Sequence, residues 1–167
     1  MTQLLQVSDD SGFLAIIDPD AYQGFVDENW ELVQLRATMR EQMAARTLLV
    51  WGTGSENTWK VDLRRGFGEV AGFRQTMGTI VSLRGRLLVT NYESLTMAAQ
   101  YRDETLPQRH ETDCVVTVDP GSYLCRITQL RNPDDLDDAE TTVDFIVELA
   151  ASNQAEPAWT DIPWSER

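Results

Sequence analysis

The densest group of potential ligating side chains is NPDDLDDAETTVDFIVEL, residues 132–149, with seven carboxylates from Asp134 to Glu148 and no basic residue among them. Carboxylates at this density can hold a divalent cation, meet a basic partner, or keep a loop solvated. A calcium loop of the EF-hand type needs oxygen ligands at positions 1, 3, 5 and 12 and glycine at 6. Counted from Asp135, position 6 is Glu140; counted from Asp134, position 3 is Leu136. Both frames fail, and no metal is expected. The stretch divides instead into a loop announced by Asn132-Pro133 and a following strand. In that strand Val143, Phe145, Val147 and Leu149 share one face, which leaves Asp144 and Glu148 to face water. The candidate partner-binding residues are therefore Asp134, Asp135, Asp137, Asp138 and Glu140. Trp159 and Trp164, close by in sequence, are their candidate apolar anchors, the alternative being simple packing of the tail.

Other chemistry is sparse. His110, the one histidine, lies in the polar LPQRHETD with Glu111 and Asp113, and no serine sits in a nucleophile-elbow motif. Gly52 and Gly54 lack the Lys-Ser/Thr of a phosphate loop, and Gly66, Gly68 and Gly72 have the wrong spacing for a dinucleotide fingerprint. With Arg64, Arg65 and Arg74 that second loop could form a small basic patch. Cys114 and Cys125 fall in apolar alternating segments and read as buried structural thiols, too few for a zinc site. No catalytic residue and no cofactor is expected, so the chain reads as a binding protein rather than an enzyme.

Charge gives that binding a direction. The 167 residues carry a net charge of −13. Residues 59–131 hold eight acids and ten basic residues, whereas 132–166 hold ten acids and no basic residue. Such a field repels phosphate backbones and favours encounter with a basic protein surface. No nucleic-acid partner is expected. Nor is a membrane: no apolar run approaches the roughly 20 residues of a bilayer span, and the N-terminus lacks a signal-peptide pattern. The expected location is the cytoplasm.

The elements that must position these residues are mostly strands. FLAIID at 13–18, TLLVW at 47–51 and WKVDL at 59–63 read as strands, the last two as a hairpin around GTGSENT, with Trp51 and Trp59 in the core. TIVSLRGRLLVTNY at 79–92 reads as a second hairpin around Arg84-Gly85. DCVVTVDPGSYLCRITQLR at 113–131 reads as a third, turned by Asp119-Pro120-Gly121-Ser122. Cys114, Val116 and Val118 share a face on one arm; Tyr123, Cys125 and Ile127 share one on the other. Two helices interrupt the pattern. One runs through residues 30–46 from a cap at Asp27 or Asn29, with Leu32, Leu35, Met39 and Met43 on one face. A shorter one spans 94–101 from Ser94. The fold expected is mainly β, an antiparallel β-sandwich or a barrel, with one or two helices packed on it. A single β-rich domain spans 1–151, and 152–167 forms a C-terminal tail able to pack back. An open edge strand would also permit a homodimer.

The order of features from Thr79 to Leu149 resembles the ComJ-type bacterial nuclease inhibitors and, more loosely, toxin-immunity proteins. The residues that carry the resemblance are Asp119-Pro120-Gly121-Ser122-Tyr123-Leu124 ahead of the Cys125 strand, and the final Asp144-Phe145-Ile146-Val147. It implies a non-catalytic inhibitor of a basic nuclease or another toxin, and it points to no inhibitory residue. The alternative from the residues themselves is a small-molecule or carbohydrate-binding β-sandwich, since exposed tryptophan rings can stack on ligands.

Overall fold

The structure, a computed structural model, describes residues 2–135 and 143–165. Among the described residues nine strands and two α-helices follow in the order β1 (Thr2–Asp9), β2 (Phe13–Ile17), α1 (Leu32–Ala44), β3 (Leu48–Gly52), β4 (Asn57–Arg65), β5 (Arg74–Ser82), β6 (Arg86–Asn91), α2 (Tyr92–Gln100), β7 (Val115–Thr117), β8 (Gly121–Gln129) and β9 (Phe145–Ala151). Two sheets face each other, one ordered β1-β4-β9-β8-β5 and the other β3-β2-β6-β7. The molecule is a sandwich and not a closed barrel. All pairs are antiparallel except β4 with β9, where Val61 lies opposite Phe145 in a parallel ladder.

Apart from β1, which the alternation reading does not include, and β9, which begins at Phe145 and leaves Val143 outside it, the strands fall where alternation places them, but the hairpins do not form. β3 pairs with β2 while β4 pairs with β1 and β9, so GTGSENT carries the chain from one sheet to the other. The turn at Leu83–Gly85 and the Val118-Asp119-Pro120 turn also cross between sheets, because β5 and β8 belong to one sheet and β6 and β7 to the other. A tight turn between two alternating runs suits a hairpin and a sheet-to-sheet corner equally, since each buries one face of both runs. The corners are fastened from inside. Asp9, fully buried, accepts from the backbone N–H groups of Ser11, Gly12 and Phe13 and from the Thr53 hydroxyl and the Trp59 indole. One carboxylate thus ties the first corner to the second. Asp18 does the same for the third, accepting from Leu83 N–H at 2.9 Å.

The core lies between the sheets. Trp51 and Trp59 are buried, with ring centroids 6.3 and 5.4 Å from that of Phe145. Cys125 lies on the same inner face, and Cys114 is buried with its thiol against the Gln6 carbonyl. Burial, and secondarily the charge of Glu148, pushes the Cys125 thiol up to about 12, so it packs as a neutral apolar group.

Helix α1 begins after Glu31, later than either Asp27 or Asn29. Asp27 instead closes a local turn on Asn29 N–H, and Gln34 accepts from Glu31 N–H at 2.8 Å. Leu35, Met39 and Met43 are buried as their spacing predicts, but Leu32 is half exposed. Helix α2 is capped by Asn91, which accepts from Ser94 N–H. Ser94 is one turn inside and donates to Glu111.

Candidate functional site

The acidic stretch is divided by its surroundings. Asp134 and Asp135 are exposed, in a short 3-10 turn at Pro133–Asp135 that Asn132 steadies by accepting from Asp134 N–H. Asp137, Asp138 and Glu140 lie outside the described residues. The other end of the stretch departs from expectation, because Asp144 and Glu148 do not face water. Asp144 accepts from Lys60 N–H at 2.9 Å and stands 3.8 Å from Arg131.

Glu148 is wholly inaccessible, and the reason is topological. β9 enters the middle of its sheet, between β4 and β8, and residues 66–73 cross the outer face above it. The strand is therefore covered on both faces, which accounts for its nearly continuous apolar run. Arg126 forks the Glu148 carboxylate, Nε to Oε1 at 2.7 Å and Nη2 to Oε2 at 2.9 Å. Gly68 N–H donates to the same carboxylate at 2.7 Å, and Arg126 also donates to the Gly68 carbonyl. Phe67 lies over the guanidinium at 4.8 Å. Burial raises the Glu148 carboxyl, but the Arg126 pair, the Gly68 N–H and the charge of Arg64 outweigh it and hold it below its ordinary value. The group is a buckle that fastens the loop to the sheet. Of the arginines that could form a basic patch with this loop, Arg64 pairs with Asp62, Arg74 donates to Gln129 beneath the Trp164 ring, and Arg65 is exposed.

The tail runs back over the body. Glu156 N–H donates to Thr79, the Trp159 indole donates to the Met77 carbonyl at 3.0 Å, and the Trp159 ring covers Gly78. Gly52 N–H donates to the Pro163 carbonyl at 2.8 Å. A Cβ on Gly52 would collide with the Trp164 carbonyl, so only glycine admits this approach. Trp164 itself has φ +62, held by this contact and by the Arg74 guanidinium 4.6 Å from its ring. Pro133, at the base of the acidic loop, packs on Gly54, and the Arg74 guanidinium also lies beside Gly54. Trp164 and the loop base thus meet at the β3–β4 corner, whereas Trp159 lies apart over β5.

Two hollows flank the tail. A small one of about 250 Å³ is lined by Ser11, Gly54, Glu56 and Trp164. A larger groove of about 570 Å³ lies between α1 and the tail. Leu35, Met39 and Met43 form its floor, Phe13, Tyr92 and Ile162 its walls, and Arg36, Arg40 and Asp161 its rim. Sequence reasoning assigned the α1 methionines to packing and passed over Arg36 and Arg40. Their i, i+4 spacing beside the apolar face was the available signal. His110 is exposed in a 3-10 turn at Arg109–Cys114. Among the described residues no group of three or more His, Cys, Asp or Glu side chains could hold a metal ion.

No family model and no curated protein matches this chain. Solved structures do, and two of them share its architecture. One is ComJ from Bacillus subtilis, described as the inhibitor of the DNA degrading activity of NucA. It is 10% identical with a TM-score of 0.55, over 90% of this chain and 96% of ComJ. Another, described as crocagin biosynthetic gene J, is 18% identical with a TM-score of 0.57, over 91% of this chain and 96% of its own. At such identities the likeness is one of fold. It supports the ComJ resemblance carried by residues 79–149 and extends it to nearly the whole chain.

Proposed function

We propose that this chain is a non-catalytic binding protein of the inhibitor or immunity type, acting in the cytoplasm on a basic nuclease or another basic toxin. What carries the reading is a fold shared over 90% of this chain with ComJ, itself an inhibitor of a DNA-degrading activity. Charge supplies the complement: residues 132–166 hold ten acids and no basic residue, and with Glu148 and Asp144 engaged inside the protein, the carboxylates from Asp134 to Glu140 are the ones offered to lysines and arginines of a partner. The docking residues in this reading are Asp134, Asp135, Asp137, Asp138 and Glu140. Trp164, at the corner where the loop base packs, is the apolar edge of that surface; Trp159 is a second anchor further along the tail.

Immobilised protein should retain a basic nuclease from a lysate of its source organism at low salt and release it as salt rises. Adding the protein back to that nuclease should suppress DNA degradation. Failure to retain any basic protein at low salt, or undiminished degradation by the retained one, would sink the reading.

A further inference from the structure

The groove between α1 and the tail has the composition of a ligand site. Its volume of about 570 Å³ falls in the range of roughly 300–1,000 Å³ typical of small-molecule sites. The floor is apolar, and its two methionines can reshape around a guest. Phe13 and Tyr92, 5.6 Å apart, make one wall, and Ile162 of the tail stands in another. Arg36 and Arg40 stand one helical turn apart at the rim. Arg40 donates through Nε to the Thr160 carbonyl at 3.1 Å, an anchor that leaves its terminal nitrogens to a guest. Arg36 makes no hydrogen bond or ion pair to the described residues. Among the described residues Asp161 is the one acid on the rim, in a chain whose net charge is −13. The groove is thus a locally basic, apolar-floored recess on an acidic molecule.

We infer that this groove binds an apolar group bearing a carboxylate. The aromatic or branched aliphatic part rests on Leu35, Met39 and Met43, and the carboxylate is bridged by Arg36 and Arg40. Two guanidiniums at one rim suit a planar two-oxygen anion, which an ammonium could hold only as a point charge. The chemistry is common to a free acid and to the C-terminal residue of a peptide. The site is separate from the acidic loop and independent of the inhibitor reading, so either can fail without the other. It gives the small-molecule alternative a place in the fold other than the tryptophan rings that first suggested it.

The test uses the full chain labelled with ¹⁵N and titrated with 3-phenylpropionate, 4-methylpentanoate, their neutral amides and inorganic phosphate. Two short peptides ending in phenylalanine, one free and one amidated at the C-terminus, separate the two sources. An acid should bind saturably, with a Kd of about 1 mM or tighter for a ligand of that size. Shifts should cluster at residues 35–43 and 160–165. The amide should bind about tenfold more weakly, as should the Arg36→Gln and Arg40→Gln variants. Leu32→Trp, which fills the mouth from a half-exposed position, should abolish binding while circular dichroism shows the fold retained. Gly52→Ala should weaken it by displacing the tail, although it alters no lining residue. Saturation by none of the acids or the free peptide, equal affinity for acid and amide, or phosphate binding as tightly as the acids would each overturn the inference.

Discussion

Glu148 and the pair Asp134–Asp135 come from one acidic stretch and reach opposite ends. Glu148 is enclosed on a central strand, gripped by Arg126 and Gly68. Asp134 and Asp135 stand in water beside the β3–β4 corner. The first carboxylate holds the molecule together, and the others are open to a partner. Asp9 belongs with Glu148: it lies outside the acidic stretch and is enclosed by five donors. Density of charge in the sequence is therefore a poor guide to where charge is available. What decides availability is whether a second layer covers the strand.

The contrast can be broken most forcibly at the buckle. Arg126→Ala leaves a buried carboxylate without its cation and should cost about 3–5 kcal/mol in urea unfolding. Replacing both partners, as Arg126→Met with Glu148→Leu, should cost far less than the single change, because no charge is then stranded. Next comes Asp9→Ala, which strands the Trp59 indole and three backbone N–H groups, while the Thr53 hydroxyl can turn to the Ser55 carbonyl 2.8 Å away. It should cost about 3 kcal/mol, since each buried donor left unsatisfied carries a desolvation penalty.

A smaller effect is set by pH. The folded Glu148 carboxyl titrates below its unfolded value of about 4.3, so the unfolded chain takes up its proton first as pH falls. The stabilisation is complete above that value and is lost as pH falls through the folded one. Unfolding midpoints measured downward from pH 6 should show an acid-induced loss that shrinks in the Arg126→Met, Glu148→Leu double variant. Smallest of all, Asp134→Asn with Asp135→Asn should change stability by no more than about 0.5 kcal/mol, as at other exposed sites. A destabilisation as large as that of Arg126→Ala would erase the distinction between the two kinds of carboxylate.

Much of the sandwich was legible as alternation. Trp59, Val61 and Leu63 on one face, or Tyr123, Cys125 and Ile127 on another, are buried as period two requires. Partners were not legible, because Asp119-Pro120-Gly121 fixes a reversal of direction without fixing which sheet receives the next strand. The first strand is hidden in the sequence although Leu5, Val7 and Asp9 alternate, because a buried Asp9 does not look apolar. Glu148 was misplaced for a related reason. The polar face of an isolated strand reads as solvent-facing, and nothing in DFIVEL reveals that residues 66–73 will cover it. The groove was hidden too, since its second wall comes from a tail with no periodicity.

The proposed role is that of an inhibitor whose exposed acids meet a basic partner. It is tested most directly by the association rate of the retained nuclease as a function of salt. The natural protein should bind fast at low salt and slow steeply as salt rises. The variant with asparagine at Asp134, Asp135, Asp137 and Asp138 should bind at least about tenfold more slowly at low salt, with a flatter dependence. Equal rates and equal salt slopes for the two proteins would contradict the account and return the acidic loop to the role of a solvated connection.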